Sequence, residues 1–177
     1  MPLAVALLAP RALFFVLLVR PETAPSLPEA ELAEIQKGHM AHLGKLGSDG
    51  HCPVAGPFEN GGRFRGVVVL RAVDSASAKA LCADDPAVRA GRLATEVHPW
   101  RVSDRSFRPY VDGIGMTTLT VVLRRRGGPE RGALLAGRSA DGYSAISVLP
   151  LKPPGWTPKG DAIRLNWWCA KGILPGT

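Results

Sequence analysis

Leu13-Phe-Phe-Val-Leu-Leu-Val19 is an unbroken run of apolar residues, halted by Arg20-Pro21. It falls far short of the roughly 20 residues needed to cross a bilayer. Rich in aromatic and branched side chains, it reads as a strand covered on both faces. The rest of the fold must therefore supply two apolar layers, one for each side of this strand. The next segment offers the first layer. After a polar, proline-bearing loop over 23–28, Ser26 and Glu29 stand at capping-box spacing and predict a helix start. Leu32, Ile35, His39, His42, Leu43 and Leu46 then recur at steps of three and four. On a helix they form one stripe, which 47–50 brings to an end.

An extended stretch follows from His51 to Phe58, then a turn at Glu59-Asn-Gly-Gly62, then a strand over Phe64 to Ala72. The Asn-Gly-Gly linker is a hairpin signal, because it tolerates positive φ. Asp74 or Ser75 is placed to cap a second helix, Ala76 to Ala83, and Asp85-Pro86 opens one more turn that Gly91 closes. Leu93 to Trp100 makes a fourth strand. Strand, helix, strand, strand, helix, strand is the split βαβ order. It predicts an α+β, ferredoxin-like fold with a four-stranded antiparallel sheet and both helices on one face. The opposite face is apolar too, and burying it against a second copy predicts a homodimer.

A chain of 177 residues suits a domain of about 100 residues with an appendage. The expected division is an N-terminal extension over 1–12, the α+β domain over 13–102 and a C-terminal extension over 103–177. In that extension 102–115 reads as a connector. Met116 to Leu123, Tyr143 to Leu149 and Ala162 to Trp168 are strand-like, and 150–158 is a proline-rich loop. Further strands and a partly disordered tail are both compatible with this. Leu119-Thr-Val-Val-Leu-Arg124 faintly echoes Phe14-Phe-Val-Leu-Leu-Val-Arg20, a hint of a half-repeat.

The formal charge of +7 is concentrated in the tail: residues 1–110 hold 13 basic and 11 acidic groups, residues 111–177 hold 9 and 4. Arg124, Arg125 and Arg126 run together there. No zinc-finger spacing, helix-turn-helix pattern or aromatic strand motif accompanies them, so the run reads as a solvated strand end rather than a nucleic-acid site. Three isolated cysteines argue against a disulfide framework and a cysteine zinc site, and fit free thiols in a reducing cytoplasm. Met1 to Ala9 is apolar but has no basic residue ahead of it, unlike a signal peptide. A cytoplasmic protein without a membrane span is expected, with a processed secretory leader as the alternative.

His39 and His42 interrupt the apolar stripe of the first helix. A buried imidazole must be hydrogen-bonded, so a satisfied core histidine accounts for either one. His51, in a turn, and His98, near a strand end, read as surface or structural residues. An aspartate directly before proline is a helix N-cap, a role that accounts for Asp85 without any chemistry. Two histidines three apart can share a metal, but no HExxH glutamate or third ligand accompanies them. Neither a metal nor an organic cofactor is expected, and no serine or cysteine nucleophile motif is present.

Several short motifs fall in one order: His39-Met-Ala-His-Leu-Gly-Lys-Leu46, Gly50, Val54-Ala-Gly-Pro57, Gly66-Val-Val-Val-Leu70, Ala83-Asp-Asp-Pro86, Ala90-Gly91 and His98-Pro-Trp100. Together with the first strand and Arg20-Pro21, they make residues 13–101 resemble the YCII-related family. The resemblance implies a ferredoxin-like protomer pairing into a dimeric α+β barrel. It also implies a cleft holding a catalytic His39 and Asp85, with Gly56 and Pro57 on its lining loop and His42 as a further ligand-side residue. Some relatives eliminate hydrogen chloride from chlorinated, aromatic-derived substrates. The implied activity is thus a cofactor-independent lyase or isomerase using His39 as general base. A non-catalytic small-molecule-binding or assembly domain is the alternative.

Overall fold

The apolar run becomes β1 (Ala12–Val19), and both its faces are covered. Phe14, Val16 and Leu18 pack on one side with Val68, Leu70 and the helices, while Leu13, Phe15, Leu17 and Val19 enter a second and larger core on the other. The computed structural model describes residues 11–108, 115–174 and 177; the apolar Met1–Ala9 segment and part of the 102–115 connector lie outside the described residues.

After β1 come α1 (Glu29–Ser48), β2 (Val54–Pro57), β3 (Phe64–Ala72), α2 (Ser75–Ala83), α3 (Pro86–Arg89) and β4 (Ala94–Arg101). Asp74 caps α2 as its position suggests, accepting the Ser77 N–H at 2.7 Å. The capping box at the start of α1 does not form. Pro28 is its N-cap residue and no side chain bonds the first turn. That cap lies two residues beyond Ser26, with the Leu32 N–H donating to the Pro28 carbonyl at 3.0 Å as the first bond of the helix.

The expected four-stranded sheet is only half of what forms. The C-terminal segment adds β5 (Met116–Arg124), β6 (Leu135–Ser139), β7 (Ala145–Pro150) and β8 (Ala162–Ala170) to the same sheet. The spatial order is β2-β3-β1-β4-β6-β7-β5-β8, with antiparallel neighbours throughout. The two ends then meet. Phe58, just past β2, bridges Trp167 of β8, and the Glu59 N–H donates to the Asn166 carbonyl at 2.9 Å. Eight strands thus form a nearly closed barrel.

This closure answers the need that predicted a homodimer. The second face of β1, β3 and β4 is buried against Leu119, Val121, Leu123, Ile146, Val148, Leu165 and Trp167 of the same chain. The apolar face is covered in cis, so the argument for a second copy falls away. Among the described residues no helix is long and apolar enough to cross a membrane.

Candidate functional site

α1 carries His39 toward the first turn of α3, where Asp85 precedes Pro86. The close approach depends on the neighbour of His39: a Cβ on Gly38 would lie 2.9 Å from Pro86 Cγ. Asp85 then performs two tasks with separate oxygens. Oδ1 accepts the Ala87 N–H at 2.8 Å, the helix cap that its sequence position suggests, while Oδ2 accepts from His39 Nδ1 at 2.7 Å. Both side chains are buried, at 10% and 4% exposure. A carboxylate oxygen only accepts, so Nδ1 carries the hydrogen, and Nε2 of the neutral ring keeps its lone pair.

His39 opens on a cavity of about 1050 Å³ between α1 and the sheet edge. Leu32, Ile35 and Leu43 of the apolar stripe line it. They are only half-buried because they face this space rather than the sheet itself. Asp85 sits behind His39 and is not part of the lining. The charged groups around the cavity are Arg20, Arg65 and Arg92, against Glu29. Arg92 is held by the Pro25 carbonyl and Arg65 by the Gly62 carbonyl.

Gly56 and Pro57 also line the cavity, from strand β2 rather than from a loop. Gly56 has a packing reason of its own, since a Cβ there would lie 2.1 Å from the Trp168 carbonyl oxygen. The glycine lets β2 and β8 approach at the barrel seam. His42 stands outside the cavity, its Nε2 donating to the Leu81 carbonyl at 3.0 Å. Three residues along a helix leave a side chain about 60° away around the axis, so His42 reaches α2 while His39 reaches α3. The two histidines therefore diverge. Among the described residues no group of three His, Cys, Asp or Glu side chains could hold a metal.

His51 is structural, Nδ1 donating to the Arg71 carbonyl at 3.2 Å. His98 is structural too, and more deeply buried than a strand end suggests: Nδ1 donates to the Asp141 carbonyl and the ring packs edge-on against Tyr143. Cys52 reaches the cavity wall, but burial pushes its thiol up to about 12, so it is no thiolate nucleophile at neutral pH.

Sequence reasoning missed the far wall of the cavity. Met116, Trp168, Ala170 and Ile173 come from the C-terminal strands and the turn beyond them. No local signal marks them, because only the closure of the barrel brings β8 beside β2. The model of the YCII-related domain family matches residues 13–101. No curated protein and no solved structure shows a significant match to the chain.

Proposed function

Since the chain belongs to the YCII-related domain family, we propose that it is a small-molecule enzyme in which His39, paired with Asp85, abstracts a proton from a carbon acid held in the cavity. The observation that carries this reading is the buried 2.7 Å contact between His39 Nδ1 and Asp85 Oδ2 at the edge of a largely apolar cavity. The carboxylate fixes the tautomer so that Nε2 is the basic nitrogen, and stabilises the imidazolium that forms once a proton is taken. The Ala87 N–H on the other carboxylate oxygen keeps Asp85 from turning away. The walls around the base are largely apolar, which strengthens its interaction with Asp85 relative to bulk water. Loss of a leaving group from the resulting carbanion makes the reaction a lyase step; reprotonation elsewhere makes it an isomerisation.

The test is solvent exchange. A panel of lactones, β-keto acids and halogenated lactones is incubated with the protein in D2O, and loss of the acidic C–H signal is followed by proton NMR. Wild-type protein should speed exchange of at least one class. His39→Gln should lower that rate by about 100-fold or more, the usual contribution of a positioned base. Asp85→Asn should also lower it, since an amide cannot stabilise the imidazolium in the same way. Exchange that is equally fast in His39→Gln would falsify the reading and leave the cavity a binding site.

A further inference from the structure

We propose that residues 116–174 are a built-in second subunit: a helix-less copy of the first half that closes the barrel in cis, leaves the protein a monomer with a single cleft, and supplies the wall of that cleft that selects the ligand.

The strand order carries the first part. Numbered within each half, strands 2-3-1-4 are followed by strands 2-3-1-4 again. The junctions repeat as well. The fourth strand of the first half (β4) pairs with the second strand of the other (β6), and the fourth strand of the second half (β8) meets β2 through Phe58 and Trp167. Two junctions of the same strand order are what a ring of two equal parts requires. The faint sequence echo falls in register with this. Aligning Arg20 with Arg124 sets Phe15, Leu17 and Val19 against Leu119, Val121 and Leu123, and all six enter the same core.

The connections differ where it matters. The first half crosses from its first to second strand through α1, which holds His39, and from third to fourth through α2 and α3, which precede and follow Asp85. The second half makes the same two crossings with loops, 125–134 and 151–161. No histidine lies in either loop. Among the described residues the chain therefore has one buried His–Asp pair, beside one cleft.

That cleft is incomplete without the tail. Trp168, Met116 and Ile173 stand across from the α1 stripe. Trp168 and Met116 are both exposed and both line the cavity, so the tail presents open apolar surface to it. A flat aromatic wall facing Leu32, Ile35 and Leu43, with arginines around the opening, suits a ligand with a planar apolar body and an anionic group.

Two measurements on the full chain test this, and neither depends on catalysis. Light scattering behind size exclusion should give the mass of one chain, 18.8 kDa; twice that mass overturns the built-in subunit. Titration with 1-anilinonaphthalene-8-sulfonate, a planar apolar anion, should show one saturable site. Trp168→Ala should weaken it about tenfold, the scale of a lost aromatic contact. Leu151→Ser, at an exposed position outside the cleft, should leave it unchanged, and circular dichroism confirms that both variants are folded. No saturable site in the wild type, or equal affinity in Trp168→Ala, overturns the selecting wall while leaving the His39 reading intact.

Discussion

The two halves of the barrel share a strand order and differ in what covers their outer faces. In the first half α1 and α2 lie on an apolar surface of Phe14, Val16, Val68 and Leu70. In the second the covering is loop, and it is fastened by hydrogen bonds from strand side chains to loop backbone. Ser147 Oγ accepts the Glu130 N–H and Thr120 Oγ1 accepts the Lys152 N–H, each at 2.9 Å. Arg164 donates to the carbonyls of Lys152, Pro153 and Trp156. The arginine run is part of this fastening, Arg124 being tied to Glu130 and to the Lys159 carbonyl. A helix standing off a sheet leaves a cavity beside it and can aim a side chain into that cavity. A loop strapped flat does neither. The comparison teaches that the inner face is common structure, while the His39–Asp85 pair belongs to the half that has helices.

If the inner core is common structure, both halves must depend on it equally. Phe15→Ala and Trp167→Ala each empty a fully buried site, one from each half, and each should cost about 3–5 kcal/mol. Denaturant unfolding of both variants measures it. A cost for Trp167→Ala under half that for Phe15→Ala would break the comparison and make the second half an attachment.

A smaller effect should follow at the seam. Gly56→Ala places a methyl against the Trp168 carbonyl, and overpacking of this kind costs about 1–3 kcal/mol. Hydrogen exchange should show faster opening of β2 and β8 with little change at β1 and β4. Uniform destabilisation across all eight strands would mean that the seam is no weaker than any other strand pair.

Much of the helix-bearing half was legible because its signals are local. Leu13–Val19 needs no partner to declare itself a buried strand, and Asp74 and Asp85 are caps by position alone. The His39–Asp85 pair is another matter. Forty-six positions separate its members, and no periodicity links them; the resemblance to a family did, while Gly38, which brings the helices together, gave no signal. In the other half β6 (Leu135–Ser139) escaped notice because it holds glycine, arginine and serine. Its place comes from its neighbours. A Cβ on Gly137 would come within 2.6 Å of the Arg101 carbonyl oxygen, so the glycine is what admits β4 beside it. Trp168 sat in a strand-like run, but nothing local says that it faces a cavity built by residues more than a hundred positions earlier.

The smallest effect concerns one thiol in each half. Burial pushes both Cys82, on α2, and Cys169, on β8, up to about 12, with the nearby Asp85 charge adding to the rise at Cys82. Their folded-state pKa values lie above the unfolded one of about 8.5. The stability they contribute is therefore fully present below pH 8.5 and is lost as pH rises toward 12. At pH 8 both should resist iodoacetamide, and their labelling rates report local opening. Equal rates support one cooperative barrel; faster labelling of Cys169 would show that the loop-covered half opens by itself.

The meeting of β8 with β2 has a further consequence. An open sheet presents unpaired N–H and C=O groups along its outer strands, a template on which another chain can add. In a ring each strand has a neighbour on either side, and here even the last junction is bridged at Phe58 and Trp167. A protein that carries its own closing half is therefore also protected from strand exchange with its copies. That protection is weakest at the two junctions between the halves, so a destabilised variant should begin to aggregate there. Only Trp100 and Arg101 pair across one, and the Phe58–Trp167 bridge with the Glu59–Asn166 hydrogen bond closes the other.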